Sequence, residues 1–264
     1  MIRAWFSLKD FPFRRNMRAA DLYQSNSFQE GFKRLEYLKE HQGIMLLTGG
    51  TGTGKSTLVR YFSSTLNDNQ YKSFYLPLST VSISDFYRQL DFSINESRHQ
   101  KKSDTFQSIQ DGIQNWVQFR KSIPVVILDE AHLLKYEHFL ELQIILNFEY
   151  DSICPILLIV LGQSELKDRF KRDSLLSFNR RITIKHDFLP LSKEEVELFL
   201  EHCLSRVGGS ASIFTKEAIS SIHQITAGNP AITGKLAHHA MNTACLNERK
   251  KVSEEEVYLA AREI

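Results

Sequence analysis

The sequence predicts an α/β fold: a parallel sheet flanked by helices over residues 1–190, followed by a small all-helical part over residues 191–264. Five apolar runs of strand length alternate with helical stretches, the rhythm of a sheet wrapped by helices. Most of these runs are continuous rather than alternating, as strands buried on both faces require. After Pro190 only helical patterns remain, broken at Gly208-Gly209-Ser210 and at Gly228-Asn229-Pro230.

The first 20 residues hold Arg3, Lys9, Arg14, Arg15 and Arg18 against Asp10 alone. This stretch reads either as a basic arm that docks on nucleic acid or as a solvated linker, the latter favoured by Phe11-Pro12-Phe13. Ser27-Phe28-Gln29-Glu30 has the form of a capping box. It opens a helix with Phe32, Leu35 and Leu38 on one face, ended by Gly43. The strand runs are 44–47, 74–78, 125–128, 156–161 and the more alternating 182–188. Between them, 105–119 carries Phe106, Ile109, Ile113, Trp116 and Val117 on one helical face, and 136–148 is also helical. Ser192-Lys193-Glu194-Glu195 is a second capping box. No internal repeat or low-complexity segment interrupts this order.

Composition sets limits. With 42% apolar and 24% charged residues over 264 positions, the chain is neither disordered nor collagen-like. The longest apolar run, 155–161, is far short of the ~18 residues a membrane span needs. Charges follow the N-terminus at once, which argues against a secretory signal. Cys154, Cys203 and Cys245 are scattered and odd in number, as expected in a reducing cytoplasm and not in a disulfide framework or zinc knuckle. Thirty-three basic against 31 acidic residues, a net +2, exclude a histone-like polycation and leave a local basic surface open.

The sharpest motif is Gly49-Gly50-Thr51-Gly52-Thr53-Gly54-Lys55-Ser56, which satisfies G-x-x-x-x-G-K-[ST]. It follows a predicted strand and precedes a helical run with Leu58, Val59 and Phe62. Glycines let backbone N–H groups converge on phosphate oxygens, and the helix start adds its dipole. Residues Gly49 to Ser56, with Thr57, are therefore expected to hold ATP. Lys55 would reach the β and γ phosphates, and the Ser56 hydroxyl would bind Mg2+.

Pro124-Val125-Val126-Ile127-Leu128-Asp129-Glu130-Ala131-His132 supplies the other half. Its acids appear at the C-terminal end of a strand, where open α/β sheets bind ligands. Asp129 would hold the magnesium through water, and Glu130 would orient and deprotonate the attacking water; the alternative is a pair of acids capping a helix. Asp-Glu-Ala-His is similar to a helicase box, but the helical remainder is too short for the second RecA-like domain such an enzyme needs. His132 is expected either facing solvent or supporting the site from the start of a helix. The run 156–161 ends in Gly162-Gln163-Ser164, where Gln163 either feels the γ-phosphate or is an ordinary turn amide. Arg180-Arg181 precedes the last strand. An arginine there can project into a neighbouring subunit and stabilise the transferring phosphoryl group; the alternative is a salt-bridged surface pair.

Together with Phe6-Ser7-Leu8 and Phe11-Pro12-Phe13, Leu22-Tyr23, Leu47-Thr48-Gly49, Leu76-Pro77-Leu78-Ser79-Thr80 with Asp85-Phe86-Tyr87, Leu146-Asn147-Phe148-Glu149, Leu161-Gly162-Gln163, Arg181-Ile182 and Leu189-Pro190-Leu191-Ser192, these motifs make a pattern over nearly the whole chain. It resembles the AAA+ ATPases, and more narrowly the ExeA/GspA-like ATPases, a group that includes the ATP-binding subunits encoded beside DDE transposases in bacterial insertion sequences. The resemblance implies a five-stranded AAA+ P-loop core with a helical lid, and ATP bound between subunits of a ring or helical filament. It further implies Gln163 as first sensor and Arg181 as arginine finger, with Arg180 the lesser candidate. Two departures stand out. The family's Gly-x-Pro-Arg is here Gly228-Asn229-Pro230-Ala231, so the second-sensor arginine is missing; Lys235 lies one turn on, and slower hydrolysis is expected. Ser164 stands where proline is common, which loosens the turn.

Secretion-type members of this group carry a transmembrane helix and a periplasmic cell-wall-binding part after the ATPase, and this sequence ends at Ile264 with neither. The resemblance therefore implies a cytoplasmic transposition regulator, not associated with a membrane. ATP would assemble it as a homo-oligomer along double-stranded DNA, largely without sequence preference, where it recruits a DDE transposase. The alternative is a cytoplasmic ATPase that assembles a secretion-type machine through protein contacts. A polypeptide-threading remodeller is disfavoured because Thr80-Val81-Ser82-Ile83-Ser84 has no aromatic residue before Phe86. Phosphate contacts on DNA would come from Arg98, Lys101 and Lys102 in the loop 97–103, then from Thr80 and Ser82; the loop reads equally as merely solvated. Arg249-Lys250-Lys251 has the look of a solvated turn.

Overall fold

In the computed structural model, which describes residues 2–14, 16–77 and 82–264, the elements follow in the order α1 (Ile2–Trp5), α2 (Asn26–His41), β1 (Gly43–Gly49), α3 (Lys55–Thr65), β2 (Tyr71–Pro77), α4 (Ile83–Asn95), α5 (Lys102–Gln118), β3 (Ile123–Asp129), α6 (Tyr136–Ile145), β4 (Leu157–Leu161), α7 (Glu165–Arg169), α8 (Leu176–Arg181), β5 (Ile182–Phe188), α9 (Lys193–Ser205), α10 (Lys216–Thr226), α11 (Pro230–Leu246) and α12 (Glu254–Ala261). The five strands pair in parallel in the order β2-β3-β4-β1-β5, so the expected α/β class with a parallel sheet holds. Central β1 and β4 are buried at every position, whereas the edge strands β2 and β5 alternate. That difference follows from helices covering both faces of the sheet centre.

The chain packs as two compact units. One comprises Glu30–Gly50 and Lys55–Phe188; the other comprises Met1–Gln29, Thr51–Gly54 and Leu189–Ile264. The sheet unit is centred on Leu46, Val126, Leu158 and Val160, with Phe86 and Phe139 packed in the same core. The helical unit is centred on Leu200, Leu204, Ile222, Met241 and Val257, with Leu8 of the N-terminal segment buried among them.

The helical unit begins at Leu189, beside the expected boundary, but the first 29 residues pack with it rather than with the sheet. The cause is apolar: Phe6, Phe13 and Tyr23 pack against the helical core, with Tyr23 edge-on to Phe199 at 5.8 Å. Arg15 lies outside the described residues, and three of the other basic charges are engaged locally. Arg14 pairs with Asp10 and Arg18 with Asp21, while Arg3 lies over the Phe11 ring at 5.0 Å. Lys250 stacks on Trp5 at 3.9 Å, and Arg249 reaches Glu255 and Glu256 at 2.7 and 2.6 Å, so the 249–251 cluster is a braced turn. The cap of α2 is also displaced from its expected place. Ser25 Oγ accepts from Phe28 N at 3.2 Å, and Ser27 Oγ instead accepts from Leu189 N at 3.0 Å. The Ser192 box forms as expected, with both reciprocal bonds present.

Candidate active site

β1 delivers the phosphate loop at its C-terminal end, and α3 begins at Lys55. The Lys55 ammonium folds back into the loop, donating to the carbonyls of Gly49 at 2.8 Å and Gly50 at 2.7 Å. Burial pulls its pKa below the ordinary lysine value, against the raising effect of Glu130, Asp129 and Asp187. A cation held by uncharged carbonyls beside acids is ready to exchange them for phosphate oxygens. At the loop apex Gly52 has φ +79, and a Cβ there would lie 2.9 Å from Asn229 Oδ1 and 3.0 Å from the Ala231 Cβ. Thr53 is buried, Gly54 and Thr57 are half-buried, and Thr51 and Ser56 are exposed.

Asp129 ends β3 and is 7% exposed. Its Oδ2 accepts from the Ser56 hydroxyl at 3.1 Å and from the Tyr75 hydroxyl at 2.8 Å, and its Oδ1 accepts from the Glu130 backbone at 2.8 Å. The carboxylate is thus held by three donors. Tyr75, on edge strand β2, was hidden in the sequence inside an apolar run. Burial, then its bond to Asp129, raise its pKa to about 12, so it stays a proton donor at physiological pH. Glu130 sits in left-handed backbone, φ 54 and ψ 31, at a cost of about 1 kcal/mol for a non-glycine residue. Its side chain is 56% exposed.

β4 runs beside β1 and β3, and Gln163 follows it. The structure brings Gln163 to His132, their Nε2 atoms 3.1 Å apart. His132 is half-buried, its side chain 9% exposed, with Nδ1 3.3 Å from Glu130 Oε2; of the two positions expected for it, the solvent-facing one is not adopted. Arg169 on α7 braces this turn by donating to the carbonyls of His132 and Leu134, both at 2.6 Å. Arg181, at the end of α8, is half-buried and donates to Gln143 O at 3.0 Å, while Arg180 is exposed.

The basic loop between α4 and α5 is organised by Asp91, which is fully buried. Burial raises the Asp91 pKa, but bonds from Asn95, Ser108, His99 and Ser97 prevail and leave it lowered. Arg98 is exposed over the Phe92 ring at 4.7 Å, Lys101 is exposed, and Lys102 donates to Glu141 Oε1 at 2.6 Å. Ser82 caps α4 by accepting from Asp85 N. Thr80 lies outside the described residues.

Among the described residues no group of three or more His, Cys, Asp or Glu side chains forms a metal cage. The Ser56 hydroxyl beside the Asp129 carboxylate is instead a pair of hard oxygen donors that leaves most positions to phosphate and water, which fits Mg2+. No helix among the described residues is long and apolar enough to cross a membrane.

A phosphate loop on β1, an acid pair on β3 and a polar residue after β4 define a P-loop nucleotide-binding α/β domain with an appended helical unit. Residues 38–170 match the AAA domain model, just over half of the chain, and the chain belongs to that family of AAA+ P-loop ATPases. General secretion pathway protein A of Aeromonas hydrophila is 26% identical over 268 residues, taking in 100% of this chain and 48% of that protein. The chain thus spans about half the length of that curated relative, and the similarity agrees with the expected resemblance to the ExeA/GspA-like group. Cdc6p from Pyrobaculum aerophilum superposes with a TM-score of 0.69 at 17% identity, over 99% of this chain and 71% of its own. Drosophila ORC bound to DNA gives 0.69 at 17% identity, over 99% and 65%. These structural likenesses concern the fold.

Proposed function

We propose that the chain hydrolyses ATP with Mg2+, assembles with copies of itself on duplex DNA, and recruits a DDE transposase there. The observation that carries the ATPase half is the cluster Ser56–Asp129–Glu130–His132–Gln163 at the C-terminal ends of β1, β3 and β4. Lys55 binds the β and γ phosphates. Ser56 and Asp129 hold the magnesium, which neutralises charge on the phosphate oxygens when bound. Glu130 takes the proton of the attacking water, and Gln163 donates to the γ-phosphate. Arg181 of a neighbouring copy completes the site, with Arg180 as the lesser candidate; Ala231 leaves this chain one cation short.

The DNA half is supported by the fold shared with Drosophila ORC bound to DNA and by exposed Arg98 and Lys101. Lys102 joins them only if its pair with Glu141 opens, and Thr80 remains a proposed contact. Such contacts bind phosphate without reading bases. A second reading, assembly of a secretion-type machine, is favoured by the similarity to general secretion pathway protein A.

Negative-stain imaging and ATPase assays with ATP, ADP or no nucleotide, with and without duplex DNA, separate the two. The DNA reading expects oligomers that need both ATP and DNA and that dissolve as salt rises. Assembly indifferent to DNA would hand the protein to the secretion reading.

A further inference from the structure

We infer that His132 is a positioning residue that couples Gln163 to Glu130, reporting γ-phosphate engagement to the base. The inference deepens the ATPase reading above and rests on it. The amide nitrogen of Gln163 can only donate, so the His132 Nε2 that it meets at 3.1 Å must accept. A neutral imidazole accepting at Nε2 carries its proton on Nδ1. That atom lies 3.3 Å from Glu130 Oε2, within ion-pair distance, and is buried with no hydrogen-bond partner. On a neutral ring, reversing the Gln163 amide would set the Nδ1 lone pair against the carboxylate, which electrostatics disfavours.

The surroundings keep the ring in place. Arg169 holds the His132 and Leu134 carbonyls. Gly162 lets the strand end come close: a Cβ there would sit 3.3 Å from His132 N and 2.5 Å from Leu166 Cδ2. Among the described residues, His132 is the cationic or imidazole side chain within ion-pair distance of the Glu130 carboxylate. A phosphate oxygen that recruits the Gln163 amide therefore alters the Nε2 bond, and the change passes through the ring to the carboxylate that must face water.

The test measures affinity for a fluorescent ATP analogue and steady-state ATP hydrolysis in the wild type, His132→Ala, His132→Asn, Gln163→Ala and the double variant His132→Ala/Gln163→Ala. His132→Ala is expected to lower kcat by about tenfold or more while nucleotide affinity stays within about twofold. His132→Asn keeps a donor near the Nδ1 position and should recover part of the loss. The double variant should be no slower than the worse single, since both substitutions break one relay. Unchanged kcat in His132→Ala, or losses that multiply in the double variant, overturns the inference. A wild type that binds ATP and never hydrolyses it overturns the ATPase reading instead, so the two failures are distinguishable.

Discussion

Tyr75 donates its hydroxyl proton to Asp129 Oδ2 over 2.8 Å, the same oxygen that the Ser56 hydroxyl reaches at 3.1 Å. Two hydroxyls from β2 and α3 thus fix the carboxylate proposed to hold magnesium. Tyr75→Phe removes one charge-assisted bond, worth about 1–2 kcal/mol. The Mg2+ concentration for half-maximal hydrolysis should rise severalfold, with kcat recovered at saturating Mg2+. The pH dependence has a definite sign. The tyrosine pKa is raised from 10.0 to about 12, so the bond's contribution is complete below pH 10 and fades as pH climbs through about 12. Wild-type and Tyr75→Phe rate profiles should therefore have the same shape through neutral pH. A profile that diverges near pH 7 would remove Tyr75 from this role.

Glu130 combines a left-handed backbone with an exposed carboxylate. Glu130→Gln preserves shape and removes the base. ATP should still bind, while turnover falls by about a hundredfold or more, and a long-lived ATP-bound assembly should accumulate on native gels. Normal turnover in this variant would take the base assignment away from Glu130.

Arg181 is tied to the Gln143 carbonyl within its own chain, whereas Arg180 is exposed on the same helical turn. Arg181→Ala should abolish hydrolysis and leave monomer nucleotide binding intact. Loss of its own-chain bond costs about 1 kcal/mol, a melting shift of about 2–4 °C. Mixing Arg181→Ala with Glu130→Gln subunits should restore part of the activity, because one interface then has both groups. Turnover that survives in Arg181→Ala and vanishes in Arg180→Ala would assign the finger to Arg180.

The strands were legible because a strand buried on both faces leaves no room for polar residues; β1 and β4 are the clearest cases. Tyr75 was not, because β2 is an edge strand whose alternate residues turn away from the core, and an apolar run does not reveal which residue turns toward the acids. The first 20 residues were read from their charges and from Phe11-Pro12-Phe13, whereas their place was decided by Phe6, Leu8 and Phe13. The phosphate loop and acid pair were visible as contiguous motifs. The relay from Gln163 to His132 was not, since it joins residues 31 positions apart and appears only when β3 and β4 lie side by side.

The missing second-sensor arginine leaves a turn with another task. Asn229 Oδ1 caps α11 by accepting from Ala231 N at 3.1 Å and Ile232 N at 3.2 Å, while its Nδ2 donates to Thr51 O at 2.7 Å. One side chain therefore starts the helix and grips the apex of the phosphate loop. Asn229→Ala loses both functions. The lost cap costs about 1 kcal/mol, so amide exchange at Ala231 and Ile232 should accelerate about fivefold. Asn229→Asp keeps the acceptor and should leave that exchange near wild type, but it can no longer donate to Thr51 and sets a negative charge beside the loop. Its affinity for ATP should fall further than that of Asn229→Ala. Equal exchange in wild type and Asn229→Ala would refute the cap, and equal affinity in all three proteins would refute the grip on the loop.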